Sequence, residues 1–233
     1  MRGGQRISCV IPAYNEERAI AAVLSGVPAW VDRIVVADNG SVDGTAEVAR
    51  AGGAHVVPVP ERGYGSACLG GLAVLPETDI VVFLDGDYSD HPQEMHTLVD
   101  PIIAGRADLV IGSRVLGEVE AGALTPQQRF GNWLATRLVR AIWSVTYTDL
   151  GPFRAIRRAA LDGLRMSDRT FGWTVEMQIK AAQSGLVSLE RPVSYRRRIG
   201  QSKISGTIGG SVRAGTRILS LIAREALWGP RAG

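Results

Sequence analysis

Residues 81–87 read Val-Val-Phe-Leu-Asp-Gly-Asp and form the strongest local signal in the chain. The apolar residues are typical of a short strand buried on both faces, and two aspartates follow at its carboxyl end. Ligands of parallel sheets bind beyond the carboxyl ends of the strands, so both carboxylates are predicted to face a crevice. Carboxylate oxygens suit Mg²⁺ or Mn²⁺. A plain Asp-Gly turn that ends a strand fits the same residues equally well.

The pattern of a buried strand followed by a turn recurs along the first half of the chain. Runs rich in Val and Ile predict strands at 7–13, 33–38, 54–59, 79–84 and 108–112. Amphipathic stretches long enough for helices lie between them, near 16–26, 43–52, 65–75 and 92–104. This alternation predicts an α/β fold with a mostly parallel central sheet, right-handed crossovers and flanking helices.

The alternation ends after Ser113. A loop at 115–125 that contains Gly and Glu is long enough to be mobile, and Pro126 is well placed to begin the helix after it. The remaining predicted elements are helices near 126–143, 173–185 and 208–227 and strands near 153–157 and 187–195.

Length and composition favour one globular domain over 1–233. The chain is 45% hydrophobic and 21% charged, which suits a complete core. Cys9 and Cys68 belong to no metal or disulfide motif, so we expect them to pack in the core. No apolar stretch approaches the roughly 18 residues of a spanning helix, and the first apolar run is too short for a signal sequence. We therefore expect a cytoplasmic protein.

The net charge of +3 conceals a strong asymmetry. Residues 1–100 contain 6 Lys/Arg and 14 Asp/Glu, a net of −8, whereas residues 101–233 contain 20 and 9, a net of +11. A metal site in the first half and phosphate-binding cations in the second explain this division. Unequal solvated helix faces are the simpler alternative. The arginines are not interleaved with an aromatic RNA-binding signature, so no nucleic-acid partner is expected.

Polar residues also follow the first two predicted strands. Asp38 ends the second strand and can accept a hydrogen bond from a nucleobase or ribose, while Glu16 follows the first strand and can face the base. Helix capping by Asn15 or Ser41 is the alternative interpretation of these segments. Gly65 lies among small residues that open a helix and would let a ligand approach the backbone closely.

Together these segments resemble glycosyltransferase family 2, whose members are inverting enzymes with the GT-A fold, a Rossmann-like fold of nucleotide-diphospho-sugar transferases. The resemblance rests on three segments in family order and continues through three later ones that are most similar to the dolichyl- and polyprenyl-phosphate sugar synthases. These segments are 11–17, 38–45, 85–87, 110–114, 149–154 and 197–204.

The resemblance implies a set of site residues. Mg²⁺ or Mn²⁺ would bind Asp85 and Asp87. The donor-binding residues would be Pro12, Tyr14, Glu16, Asp38, Gly65, Asp85, Gly86, Asp87 and Arg114. The acceptor or phosphate contacts would be Arg114, Arg154, Arg198, Ser202 and Lys203. On this basis 1–113 is the nucleotide-sugar half, 114–207 the acceptor half and 208–233 an amphipathic C-terminal helix.

The expected reaction moves a hexose from a donor of the UDP-glucose or GDP-mannose type to a polyprenyl or dolichyl phosphate. A soluble hydroxyl acceptor is the alternative, and it would need a general base such as Asp149 or Glu176. Ser89 replaces the Gln that lipid-phosphate synthases usually carry, which leaves the acceptor open. A nucleotidyltransferase and a non-catalytic sugar-nucleotide binder are more distant alternatives.

The last helix has an apolar side flanked by arginines. Such a helix can lie on an anionic membrane surface, so we expect that the protein can bind peripherally to the inner membrane face. Packing in the core, or pairing of two copies into a homo-oligomer, explains the same pattern.

Overall fold

The computed structural model describes residues 1–200 and 208–228, with side chains for all of these except 208–213 and 228. Ser202 and Lys203, which the resemblance assigns to phosphate binding, lie outside the described residues. No helix of the described chain is long and apolar enough to cross a membrane.

Seven strands form one central sheet. They are β1 Ile7–Ala13, β2 Arg33–Asp38, β3 His55–Pro58, β4 Ile80–Phe83, β5 Leu109–Ser113, β6 Arg154–Arg157 and β7 Ser188–Pro192. Their order across the sheet is β3-β2-β1-β4-β6-β5-β7. β6 is antiparallel to both of its neighbours, and the other pairs are parallel. The predicted, mostly parallel sheet is therefore confirmed.

Within the described residues, eight helices flank the sheet. They are α1 Glu17–Gly26, α2 Thr45–Ala51, α3 Tyr64–Ala73, α4 Met95–Ile103, α5 Pro126–Trp143, α6 Arg158–Leu164, α7 Trp173–Gln183 and α8 Ile208–Trp228. A single 3₁₀ turn, Pro92–Glu94, precedes α4. Helix α6 was not predicted from the sequence, because β6 leads into it directly and no Gly or Pro separates the two elements.

The central strands are buried on both faces and carry the core. Ile7, Cys9 and Ile11 pack into one hydrophobic cluster, whereas Val10 lies in the cluster on the opposite face of the sheet. Cys68 joins this second cluster, so both cysteines are buried and free, as expected. Each large side chain buried here contributes about 1.5–3 kcal/mol, which gives the polar residues after β1 and β4 a rigid base.

Two features of the second half position the helices around the site. Thr125 and Gln128 form a reciprocal capping box, with Pro126 in the first turn, so α5 begins where predicted. Leu221 and Ile222 of α8 are buried in the core. Leu219 and Leu227 of the same helix are exposed, so core packing accounts for only part of its apolar residues.

Candidate active site

A cavity of about 470 Å³, named here the front cavity, lies at the carboxyl ends of β1, β2 and β4. Six of the nine predicted donor residues line it: Pro12, Tyr14, Glu16, Asp85, Gly86 and Asp87. The remaining lining residues are Ala13, Asn39, Arg62, Gly63, Tyr64, Ala67, Phe171 and Arg198. The fold therefore gathers residues from both ends of the chain at the edge where parallel sheets bind ligands.

Asp85 and Asp87 carry negative charge that the protein only partly neutralises. Asp85 Oδ1 is buried and has no hydrogen-bond partner. Burial, and then the charge of Asp87, raise the pKa of Asp85 to about 7. Asp87 accepts hydrogen bonds from the backbone N–H and hydroxyl of Ser89, at 2.9 and 2.5 Å, and its Oδ2 lies 2.9 Å from Arg198 Nη1. Ser89 thus fixes one carboxylate of the pair.

These observations fit a divalent cation. A buried carboxylate oxygen without a partner, beside a second carboxylate, is the donor set that Mg²⁺ and Mn²⁺ prefer. Over residues 1–200 and 208–228 no cluster of three or more His, Cys, Asp or Glu surrounds one point. Asp85 and Asp87 can therefore supply part of a coordination shell, and phosphate or water oxygens would have to supply the rest.

Asp90 is a third carboxylate at this place that was not selected from the sequence. It is buried, its Oδ1 has no hydrogen-bond partner, and its Oδ2 lies 3.5 Å from the backbone nitrogen of Asp85. Burial raises its pKa well above the ordinary value, and the charges of Asp85 and Asp87 add to the effect. The spacing of three acidic residues over 85–90 was the available signal.

Arg62 and Asn39 shape the opposite end of the front cavity and were also missed. The Arg62 guanidinium lies 3.9 Å from the centroid of the Tyr14 ring and donates to the Asn39 carbonyl. The Asn39 side chain donates to the carbonyls of Val59 and Glu61. This network holds the loop before α3 against Tyr14, and it offers a cation and an aromatic ring to a ligand.

Three predicted donor residues do not line the front cavity: Arg114, which lines a second cavity described below, Asp38 and Gly65. Asp38 Oδ1 accepts the backbone N–H of Ser41 at 3.0 Å, so it stabilises the turn after β2. At Gly65 a Cβ would lie 1.9 Å from the Asp168 carbonyl oxygen. Glycine is required there because the 168–170 loop packs directly on the first turn of α3, where Gly65 N–H donates to the Thr170 carbonyl at 3.1 Å.

A second cavity of about 280 Å³, the helix cavity, lies between the starts of α5 and α8. It shares Tyr64, Asp85, Phe171 and Arg198 with the front cavity, so the two are neighbouring chambers. Its other lining residues are Arg114, Gln127, Gln128, Gly131, Asn132, Leu150, Pro152, Thr174, Tyr195, Ala214, Gly215 and Ile218. The lining combines two arginines with apolar side chains such as Leu150 and Ile218, so this chamber is amphipathic.

Arg114 lines the helix cavity and is held by Asp149. Its backbone N–H, Nε and Nη2 lie 2.8, 2.7 and 2.7 Å from the Asp149 carboxylate, which is 1% exposed. Burial alone would lower the pKa of Arg114, but the charge and hydrogen bonds of Asp149 outweigh burial and raise it. The guanidinium is therefore a fixed cation at the border of the cavity.

Glu176 and Arg154 lie away from both chambers. Glu176 is buried and accepts hydrogen bonds from Ser167 and from the backbone of Asp168, and it pairs with Lys180 at 2.8 Å. Arg154 is also buried, and it donates to the backbone carbonyls of 150, 151 and 174. Burial lowers its pKa to about 10. The structure thus places these two predicted residues in the protein interior, where they bind neighbouring loops and helices, and not in the lining of either cavity.

Comparisons with known proteins agree with this geometry. Residues 8–165 match the family model described as Glycosyl transferase family 2. The chain is 38% identical over 213 residues to an uncharacterised glycosyltransferase of Mycobacterium tuberculosis, which covers 91% of this chain and 95% of the relative. It is 31% identical over 224 residues to the dolichyl-phosphate hexose transferase of Haloferax volcanii, with coverage of 95% and 96%.

A solved structure of glucosyl-3-phosphoglycerate synthase from Mycobacterium tuberculosis, in complex with Mn²⁺, UDP and phosphoglyceric acid, has a similar fold. Its TM-score is 0.77 at 26% identity, over 100% of this chain and 82% of that chain. The predicted GT-A fold is confirmed, and so is the family resemblance carried by the strand-end residues. The chain belongs to glycosyltransferase family 2.

Proposed function

We propose that this chain transfers a hexose from a nucleotide diphosphate sugar, of the UDP-glucose or GDP-mannose type, to a polyprenyl or dolichyl phosphate. The observation that carries the proposal is the helix cavity, where Arg114 and Arg198 lie beside Asp85 and apolar side chains such as Leu150 and Ile218 form part of the wall. A cationic end suits a phosphate group, and apolar walls suit the first part of a hydrocarbon chain. The chamber adjoins the front cavity, where the donor would bind.

In this proposal the front cavity holds the donor. Tyr14, Glu16 and Arg62 surround the nucleoside, and Asp85 with Asp87 faces the diphosphate. When bound, Mg²⁺ or Mn²⁺ would neutralise the charge that develops on the departing diphosphate. Arg198 lines both chambers, so it can stabilise the same charge from the acceptor side. The acceptor oxygen then displaces the diphosphate at the anomeric carbon in one step, with inversion.

The state of the two candidate bases supports a phosphate acceptor. Asp149 is bound by Arg114, and Glu176 is bound by Ser167, Asp168 and Lys180. A hydroxyl acceptor must lose a proton, so one of these carboxylates would first have to leave its partners. A phosphate is already anionic at neutral pH and needs cations that hold it in place. Arg114 and Arg198 meet that need without rearrangement of the buried pairs.

A soluble phosphate ester is the second candidate acceptor. The glucosyl-3-phosphoglycerate synthase that resembles this chain is seen with phosphoglyceric acid, which presents a phosphate and a carboxylate. Both candidates carry a phosphate, but the lipid accepts the sugar on a phosphate oxygen, whereas the soluble ester would accept it on a hydroxyl that must lose its proton. The relative named as a dolichyl-phosphate hexose transferase, which aligns over 95% of this chain, favours the lipid.

A transfer assay with two acceptors tests the proposal. Radiolabelled UDP-glucose or GDP-mannose is incubated with Mn²⁺ or Mg²⁺ and with polyprenyl phosphate or phosphoglyceric acid, and organic extraction then separates the products. We expect label in the organic phase with polyprenyl phosphate, and loss of that label in Asp87→Asn. The matched control is Asp162→Asn, which removes an exposed carboxylate paired with Arg158.

The outcomes separate the alternatives. Label that appears only in phosphoglyceric acid supports the soluble acceptor. Nucleotide binding without turnover on either acceptor, equal in wild type and Asp87→Asn, supports a non-catalytic sugar-nucleotide binder. Release of the hexose 1-phosphate in place of a nucleoside diphosphate, with transfer of the nucleoside monophosphate, would indicate a nucleotidyltransferase.

A further inference from the structure

A third cavity of about 690 Å³, the arginine cavity, lies on the outer side of α5, between that helix and the 115–124 loop. It borders the helix cavity at Arg114, Gln128 and Asn132, which line both. The reaction proposed above uses none of the residues on its far side. These include Arg129, Arg137 and Arg140.

The arginine cavity carries uncompensated positive charge. In the described ranges 1–200 and 208–228, Arg129, Arg137 and Arg140 form no ion pair. The carboxylate that lines the cavity is Asp149, and it is already saturated by Arg114. Three exposed guanidinium groups on one wall therefore favour an anionic ligand, and planar guanidinium groups bind phosphate especially well.

Exposed apolar side chains surround this charge. On α5, Phe130 is 61% exposed and Trp133 is 51% exposed, and their ring centroids are 5.9 Å apart. The Arg137 guanidinium lies 5.8 Å from the Trp133 ring. Val115 and Leu116 on the facing loop are also more than half exposed. Aromatic side chains next to basic ones are typical of surfaces that lie at a membrane interface.

We propose that the arginine cavity and its apolar rim bind an anionic phospholipid surface, with headgroup phosphates on Arg129, Arg137 and Arg140 and with Phe130 and Trp133 in the interface. The opposite charges of the arginines and the phosphates are the basis for this choice of partner. A second copy of the chain fits less well. A symmetric dimer through this face would bring like-charged arginines together.

Vesicle flotation with the full chain tests this inference, without donor or polyprenyl phosphate present. We expect binding to vesicles of phosphatidylcholine with phosphatidylglycerol and little binding to phosphatidylcholine alone. The combined variant Arg129→Gln, Arg137→Gln, Arg140→Gln should bind on the order of 100-fold more weakly, because each basic residue near an anionic surface contributes about 1 kcal/mol. Its three altered side chains are exposed, so thermal unfolding should match that of the wild type.

A matched control removes the same charge elsewhere. Arg18, Arg33 and Arg106 are also exposed and without an ion pair in the described chain. The combined Arg18→Gln, Arg33→Gln, Arg106→Gln variant should keep wild-type vesicle binding within a few-fold. An equal loss in both triple variants would mean that net charge alone drives binding, and it would overturn the assigned site.

Three further measurements identify the contact and its source. Brominated lipids should quench tryptophan fluorescence in the wild type and much less in Trp133→Phe. Saturable binding of inorganic phosphate that is lost in the arginine variant, with no binding to vesicles, would assign the cavity to a free phosphate and overturn the lipid. A dimer mass that becomes monomeric in Phe130→Ser would assign the face to a second copy. Because no transfer is measured, failure of the proposed reaction leaves these results unaffected.

Discussion

Two arginine–aspartate pairs border the helix cavity, and they are built differently. Asp149 receives three hydrogen bonds from Arg114; its side chain is 1% exposed and that of Arg114 is 14% exposed. Asp87 meets Arg198 through one contact of 2.9 Å, and the Arg198 side chain is 26% exposed. Asp87 also lies beside Asp85, and the two negative charges repel each other. Asp149, in contrast, is paired with the Arg114 guanidinium through two side-chain hydrogen bonds.

The difference shows that an arginine–aspartate pair can either stabilise the fold or remain free to change partners when a ligand binds. A buried, multiply bonded pair costs several kcal/mol to break, so Arg114 stays where Asp149 holds it. A single, partly exposed contact costs less to break, so in the proposed reaction Arg198 could leave Asp87 if a metal ion and a diphosphate bound there. We therefore expect substitutions in the first pair to lower stability, with an additional effect on acceptor binding at Arg114, and substitutions in the second to act mainly on transfer.

The largest effect should come from Asp149→Asn. Loss of this charge leaves the Arg114 guanidinium buried without its counter-ion, which should lower the free energy of unfolding by about 3–5 kcal/mol. Urea denaturation followed by circular dichroism measures the change. A variant as stable as the wild type would show that Asp149 does not hold Arg114, and the contrast between the two pairs would be lost.

Asp87→Asn should have the next largest effect, on activity. Transfer should fall by about 10²–10³-fold, because the leaving diphosphate loses the carboxylate that holds its cation. The free energy of unfolding should stay the same or rise slightly, since the substitution removes repulsion with Asp85. The pair of values, kcat/KM and unfolding free energy, is the measurement. If Asp87→Asn lowered the free energy of unfolding as much as Asp149→Asn, Asp87 would be a structural residue and this prediction would be wrong.

Substitution of the two arginines sharpens the contrast further. Arg198→Gln should reduce kcat by roughly 10–100-fold and destabilise the fold less than Arg114→Gln does, because Asp87 keeps its two hydrogen bonds from Ser89. Arg114→Gln should destabilise the fold by several kcal/mol, because Asp149 is then buried as an unpaired anion. Similar stability of the two variants, measured under the same denaturant conditions, would refute the assignment.

The smallest effect is expected at a pair remote from both cavities. Arg2 Nε lies 2.5 Å from Asp100 Oδ1, and this hydrogen bond lowers the pKa of Asp100. The stabilisation is therefore present above the unfolded pKa of about 3.9 and is lost as the pH falls through the lower folded value. Asp100→Asn should reduce stability at pH 7 by less than about 1 kcal/mol and leave transfer unchanged. Thermal unfolding of the wild type and of Asp100→Asn should show a larger difference in stability between them at pH 7 than at pH 3.

The central sheet was predictable because its strands are buried on both faces. Long apolar runs bounded by turn residues admit few other structures, so β1, β2 and β4 were placed within a residue or two. The position of β6 was also found, but its antiparallel direction was not. Direction depends on how the 115–152 segment returns to the sheet, and no local pattern specifies that path.

The site was predictable where a side chain comes directly after a strand. Asp85, Asp87, Tyr14 and Glu16 line the front cavity, because the end of a buried strand fixes the position of the next few residues. Asn39 and Arg62 escaped notice, since their roles arise from a loop network between β2 and α3. The same reason explains why Asp38 faces its own turn.

Taken alone, the amino-acid sequence determined the fold class, the family and the position of the acidic pair after β4, because these depend on local periodicity and on residues in fixed order along a few strands. The tertiary structure decided which charges are free to act. In the sequence, nothing distinguishes the carboxylates of Asp149 and Glu176 from that of Asp87, or the guanidinium of Arg154 from that of Arg198. Their burial and their partners in the structure distinguish them. A charge acts on a ligand when it is near the cavity and not already neutralised, and both conditions are set by contacts between distant segments.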